Sequence, residues 1–138
     1  MGAVVSASAL LVSAPVAAWA TPPDPGVTGT IIWQRTVGGT DLTLREIHVP
    51  AGADTGWHYH DGPLYAQVKQ GTLSHFDATC ASDGVYARGD RLAEPSGSDH
   101  VHIGRNLGDE ELVLEVLYVL PTGSPFSEDA ANPGCDFE

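Results

Sequence analysis

The chain has 138 residues, enough for one domain with a real core and too few for two ordinary ones. Hydrophobic residues make up 42% and charged residues 17%, a globular composition rather than a disordered one. Six Lys+Arg against eighteen Asp+Glu give a net charge of −12, which repels phosphate backbones and anionic lipid and so argues against nucleic acid or a membrane surface as partner.

In chain order, the first feature is a leader. Residues 2–18 are almost wholly small or apolar and carry no charge. Ala18-Trp19-Ala20 then places small residues at both recognition positions of a signal-peptidase site, and Thr21-Pro22-Pro23 follows. This pattern predicts a secretory signal peptide over residues 1–20, although no Lys or Arg precedes the apolar stretch. The stretch is interrupted by Pro15 and is short for a membrane span, so the mature chain has no span here. Residues 21–27 read as a linker.

Strand signals begin at residue 28. Residues 28–37 contain Ile31, Ile32, Trp33 and Val37, and Gly38-Gly39 marks a turn. Leu42, Leu44, Glu46 and His48 alternate with Thr43, Arg45, Ile47 and Val49, which predicts a strand with two differently used faces. Short apolar runs follow at 64–68, 72–76, 85–87 and 101–103, with Gly or Pro in nearly every gap. Residues 112–120 form the longest apolar run and predict a strand buried on both faces, or nearly so. Sixteen Gly and ten Pro are too many for a helical bundle. About nine short strands at this spacing suggest an all-β sandwich or barrel over residues 28–121, with 122–138 as a tail.

The two cysteines, Cys80 and Cys135, fit export as a disulfide that pins this tail to the domain. With no CxxC, a thiolate zinc site is not expected.

Function is carried by the histidines. His58 with His60, and His100 with His102, form two His-x-His pairs. On a strand, residues two apart share a face, roughly 6.6 Å apart along the chain. Two imidazoles so placed can converge on one metal ion. The pairs lie on different predicted strands, as closing one site would require. His48 and His75 stand alone and read as surface histidines of an acidic protein. Asp61 and Asp99 flank the pairs at loop positions where solvation is the expected role, and Tyr59 alternates to the opposite strand face.

The surroundings of the pairs resemble the two motifs of the cupin superfamily. Gly52 is followed after five residues by His58-Tyr59-His60, and Gly71 stands six residues beyond Leu64. In the second block Gly89 is followed after five residues by Pro95, then Gly97, His100 and Asn106. Gly71, Gly89 and Gly97 suit turns that other residues resist. Two departures stand out. Leu64 occupies the position of the family's metal-binding glutamate, so the site is expected to lack its carboxylate. Asn106 lies two residues late when counted from His100, but at the family's spacing when counted from His102. The third ligand is therefore His100 or His102, and the Pro95-x-Gly97-x-x-His100 spacing favours His100, with His102 as a fourth ligand.

The resemblance implies a single-domain jelly-roll β-barrel with one divalent metal bound by His58, His60, His100 and His102. A donor set rich in imidazole suits zinc, iron, copper or nickel. The implied partner is a small-molecule ligand or substrate. Cupins with three-histidine sites include thiol and diketone dioxygenases, which makes an exported dioxygenase one expectation and a non-catalytic metal- or ligand-binding barrel the other. Cupins often pair, so a homodimer is compatible with this reading.

Overall fold

A computed structural model describes residues 20–137. The expected leader, but for Ala20, lies outside the described residues. Ten strands follow one another: β1 (Thr28–Val37), β2 (Thr40–Val49), β3 (His58–Tyr59), β4 (Leu64–Gln70), β5 (Thr72–Asp77), β6 (Ser82–Ala87), β7 (Arg91–Glu94), β8 (His102–Arg105), β9 (Leu112–Pro121) and β10 (Glu128–Asp129). Among the described residues there is no helix, and so none long and apolar enough to cross a membrane.

The strands form two antiparallel five-stranded sheets, ordered β1-β2-β9-β4-β7 and β10-β3-β8-β5-β6. The all-β architecture is the one expected from the turn spacing, and its two sheets match the jelly roll that the motif resemblance implied. The two ladders stay separate and do not close into one hydrogen-bonded barrel.

The first sheet supplies most of the core. On β9, Leu112, Leu114, Val116, Tyr118 and Leu120 alternate inward and are buried. Their outward neighbours Glu115, Leu117 and Val119 are only half-buried, so the strand expected to be covered on both faces is fully covered on one. On β2 the inward set is Thr43, Arg45, Ile47 and Val49, and all but Arg45 are buried. Leu73 on β5 of the second sheet joins the same apolar cluster, which places the core between the sheets. Each fully buried side chain of this kind contributes about 1.5–3 kcal/mol relative to exposure. β1 is an edge strand exposed along its whole length, including Ile31, Ile32 and Trp33.

The carboxy-terminal segment is built into the second sheet. β10 pairs with β3, placing Glu128 opposite Tyr59 and Asp129 opposite His58. Cys80 and Cys135 are joined by a disulfide. Beyond it, Phe137 lies against Phe76 and the fully buried Trp57, with the Arg105 guanidinium 4.5 Å from the Phe137 ring centre.

Candidate metal centre

β3 and β8 are adjacent strands, and their one register pair sets His58 directly opposite His102. Directly opposed residues of an antiparallel pair project from the same face. The rings of His58 and His102 accordingly meet with centroids 4.4 Å apart. His60 follows immediately after β3 and also turns inward, 4.8 Å from His58 between ring centres. All three histidines are buried.

The fourth member is Glu94, at the end of β7. One ligand-type atom from each of His58, His60, Glu94 and His102 lies within 4.8 Å of all the others. Glu94 Oε2 is 3.0 Å from His60 Nε2 and 3.2 Å from His102 Nε2. The expectation that the site has no carboxylate is thus corrected. In the β4–β7 ladder Glu94 is the register partner of Leu64, the residue standing where the family motif has glutamate. Leu64 and Glu94 both line the cavity at the cluster. The carboxylate has moved one strand sideways while keeping its face.

The second His-x-His pair does not behave as the first. His100 precedes β8 and sits in a turn, its N–H donating to the Gly97 carbonyl at 3.0 Å. Gly97 has φ +113°, a conformation that side chains with a Cβ rarely adopt. This turn breaks the strand alternation that would have placed His100 and His102 on one face. The His100 side chain is 45% exposed, with the solvated Asp99 3.8 Å away, and stands outside the cluster. The structure thus brings together His58, His60 and His102, and leaves out the histidine that the spacing favoured as third ligand. Counted from His102, Asn106 has the family's spacing. Its fully buried amide donates to the carbonyls of Val49 and Glu110 and so ties the end of β8 to β2.

His75 is also not where its isolation in sequence suggested. It is buried on β5, its Nδ1 pairs with Asp83, and its Nε2 lies 3.5 Å from Glu94 Oε1. Its ring stacks on His102 at 4.8 Å. Burial works to lower its pKa, but Glu94 and Asp83 outweigh that and raise it. His48 does lie outside, on the outward face of β2 between Glu46 and Glu111. Sequence reasoning missed Glu94 and His75, because neither has a same-strand partner two residues away. The available signal for Glu94 was its position just before Pro95, at the mouth of the second motif.

Hydrogen bonding orients the three clustered rings. Nδ1 of His58, His60 and His102 lies 2.8 Å from the carbonyl oxygens of Gly56, Phe126 and His100 respectively. A carbonyl only accepts, so each Nδ1 is the donor and the neutral ring presents a bare lone pair at Nε2. Nε2 of both His60 and His102 is buried without a hydrogen-bond partner. In the neutral rings these nitrogens set lone pairs against the Glu94 carboxylate, an arrangement relieved by a cation or a proton between them. Burial, reinforced by His102 and His60, pushes the His58 pKa down to about 3, so this ring is neutral at ordinary pH. Burial opposes the charge on Glu94, and His102, His60 and His75, where they carry a proton toward it, outweigh burial and hold its carboxyl well below the usual range.

Such a set suits a divalent transition ion: three imidazole nitrogens and one carboxylate oxygen, each ring held by a donated hydrogen bond to a backbone carbonyl. The cavity at the donors measures about 60 Å³ and has Leu64, Leu73, Leu114 and Val116 among its walls. A wider opening of about 330 Å³ reaches His58 and His60 from the side of β1 and β2. A second, of about 340 Å³, reaches Glu94 and His102 from the side of β6 and β7.

The sequence matches no family model, and no curated protein matches it. Solved structures do resemble it. A cupin domain from Bordetella pertussis Tohama I is 23% identical, with 69% of this chain and 94% of that chain covered at a TM-score of 0.57. A cupin-like protein from Thermotoga maritima is 18% identical, covering 77% of each chain at a TM-score of 0.61. A protein from Klebsiella pneumoniae with a double-stranded β-helix domain is 18% identical, with 78% and 88% covered and a TM-score of 0.58. The chain has the fold of the cupin domains.

Proposed function

We propose that this is an exported metal-dependent enzyme acting on a small molecule, with one divalent ion held by His58, His60, Glu94 and His102. One observation carries the reading: three imidazoles, each with Nδ1 donated to a carbonyl, turn Nε2 toward a single, partly buried carboxylate. This set replaces the four-histidine set of the sequence analysis, with Glu94 in the place of His100. Its mixture of imidazole and carboxylate suits iron, zinc, nickel or copper, and oxidation of a small molecule by dioxygen is the reaction we favour. When bound, the ion would polarise a coordinated small molecule and, if iron, supply the electrons for dioxygen chemistry.

The chain's own residues have separate tasks. The carbonyls of Gly56, Phe126 and His100 orient the three rings. His75, backed by Asp83, stands with Nε2 3.5 Å from the second oxygen of Glu94, while the first faces the rings. Leu64, Leu73, Leu114 and Val116 keep bulk water from the donors. The opening beside His58 and His60 admits the small molecule. Export is supported by the leader pattern and by the disulfide, which suits an oxidising compartment.

A non-catalytic metal holder is the second reading, favoured by the small size of the inner cavity. Elemental analysis of the purified protein should find one transition ion per chain. Oxygen consumption over a panel of thiols and diketones then separates the readings: turnover by the iron-loaded form supports the enzyme, and its absence supports the holder. A protein that takes up none of the four metals overturns both.

A further inference from the structure

Arg45 is a charged residue on a face meant for the core. The period-two pattern of β2 sets it between Thr43 and Ile47, both buried, and Arg45 Nε is itself buried without a hydrogen-bond partner. Among the described residues no carboxylate lies within ion-pair distance of it; the nearby Glu46 is turned outward to His48. A buried guanidinium donor left unpaired is costly, and such a group marks a place for a ligand more readily than for packing.

Its surroundings hold it in place. The guanidinium carbon lies over Phe126, 3.9 Å from the ring centre, and 5.5 Å from that of Tyr118. Cation–π contact with a planar fork fixes its orientation but leaves its edge free to donate. Gly29 on β1 clears the space beside it, since a Cβ there would collide with the Arg45 guanidinium. Arg45 lines the same opening of about 330 Å³ as His58 and His60. It is the only formally charged side chain in that lining, whose other members include Val27, Ile47, Tyr118 and Phe126.

We infer that Arg45 is the recognition residue for a small carboxylate, which binds in this opening with its anionic end on the guanidinium and its other end toward His58 and His60. A planar fork matches a carboxylate with two parallel hydrogen bonds. A single formal cation in an otherwise uncharged lining of mixed polarity suits one negative charge rather than a doubly charged phosphate. The protein as a whole, at net charge −12, repels anions, so selection for a carboxylate falls on this residue. The inference rests on the proposed metal reading for the role of the histidine end, and the test keeps the two apart.

Butyrate and its neutral isostere butyramide are titrated calorimetrically into the zinc-loaded and the metal-free protein. The metal-free wild type should bind butyrate about tenfold or more tighter than butyramide, the gain expected of charge-assisted hydrogen bonds. R45Q should abolish that preference while zinc per chain stays unchanged. R45K, which keeps the charge without the fork, should reduce the preference severalfold, and it decides the matter if R45Q does not fold. Equal affinities in the wild type, no butyrate binding at millimolar concentrations, or a preference that survives R45Q or R45K undiminished would overturn the inference. If no metal binds under any condition, the metal reading fails, while the butyrate preference of the metal-free protein still tests Arg45.

Discussion

His58-Tyr59-His60 and His100-Val101-His102 have the same spacing, yet the first pair sends both rings inward and the second sends one. The first pair runs off β3, anchored on one side by β8 and on the other by β10. The second is entered through a turn at Gly97, which rotates His100 to the surface before β8 begins. His100 still serves the centre through its backbone, because its carbonyl accepts the hydrogen bond from His102 Nδ1. A two-residue spacing predicts a shared face only where both residues lie in extended backbone. A positive-φ glycine stands upstream of both pairs, Gly56 and Gly97, so the difference lies in His58 being within β3 and His100 lying before β8 begins.

The largest test of this difference goes through the tail. Phe126, which orients His60, belongs to the segment that the disulfide fastens; no tail residue orients His100 in this way. Cys135→Ser opens a loop with a sequence separation of 55, a loss of roughly 4 kcal/mol in the chain-entropy model. Denaturant unfolding measures it, and metal affinity should fall along with stability. If affinity is untouched, the tail does not order His60.

Next come the rings themselves. A metal binding only the folded chain stabilises it by about 2.7 kcal/mol at a hundred times the dissociation constant. The melting shift between chelator and added zinc should vanish in His58→Ala, His60→Ala and His102→Ala, and persist in His100→Ala, whose backbone carbonyl remains. A His100→Ala variant as damaged as His102→Ala would restore the reading in which both bind the ion.

A smaller and sharper effect concerns the displaced carboxylate. Glu94→Gln keeps the shape and removes the charge, and metal affinity should fall at least by the roughly 10–100-fold typical of a lost supporting group. Because Leu64 and Glu94 are register partners, the exchange Leu64→Glu with Glu94→Leu should recover part of that loss. Competition with a chromogenic chelator reads both.

The smallest effect belongs to His48, the histidine farthest in character from the centre. Glu111 first and Glu46 second raise its pKa above the ordinary value of 6.5. Its contribution to stability is therefore fully present below pH 6.5 and is lost as pH rises through the raised folded-state value. His48→Gln should flatten that slope, with a cost inside the about 0.5 kcal/mol of ordinary surface changes. Unfolding curves at several pH values above and below the transition would show a steeper dependence only if His48 is buried more deeply than its side-chain exposure of 34% indicates.

Much of this was legible in the chain. Turn residues between short apolar runs place most of the strands, and the family-like spacing around His58 and His60 points to the face they share. What escaped was positional exchange between strands. Leu64 reads as a lost ligand because sequence spacing follows one strand, whereas a cavity is lined by neighbours across the ladder, and Glu94 is such a neighbour. His75 read as a surface residue because its partners, Glu94 and Asp83, come from other strands. Arg45 was visible as an interruption of the β2 pattern, but an interruption alone does not say which face is buried. The outward turn of His100 depended on a backbone angle at Gly97 that spacing does not encode.

The order in which the protein is made gives the tail a further meaning. His60 and the carbonyl that orients it are 66 residues apart, and Cys80 must wait for Cys135. The hydrogen bonds that orient His58 and His102 each reach two residues along the chain, so of the three rings only His60 depends on the docking of a distant segment.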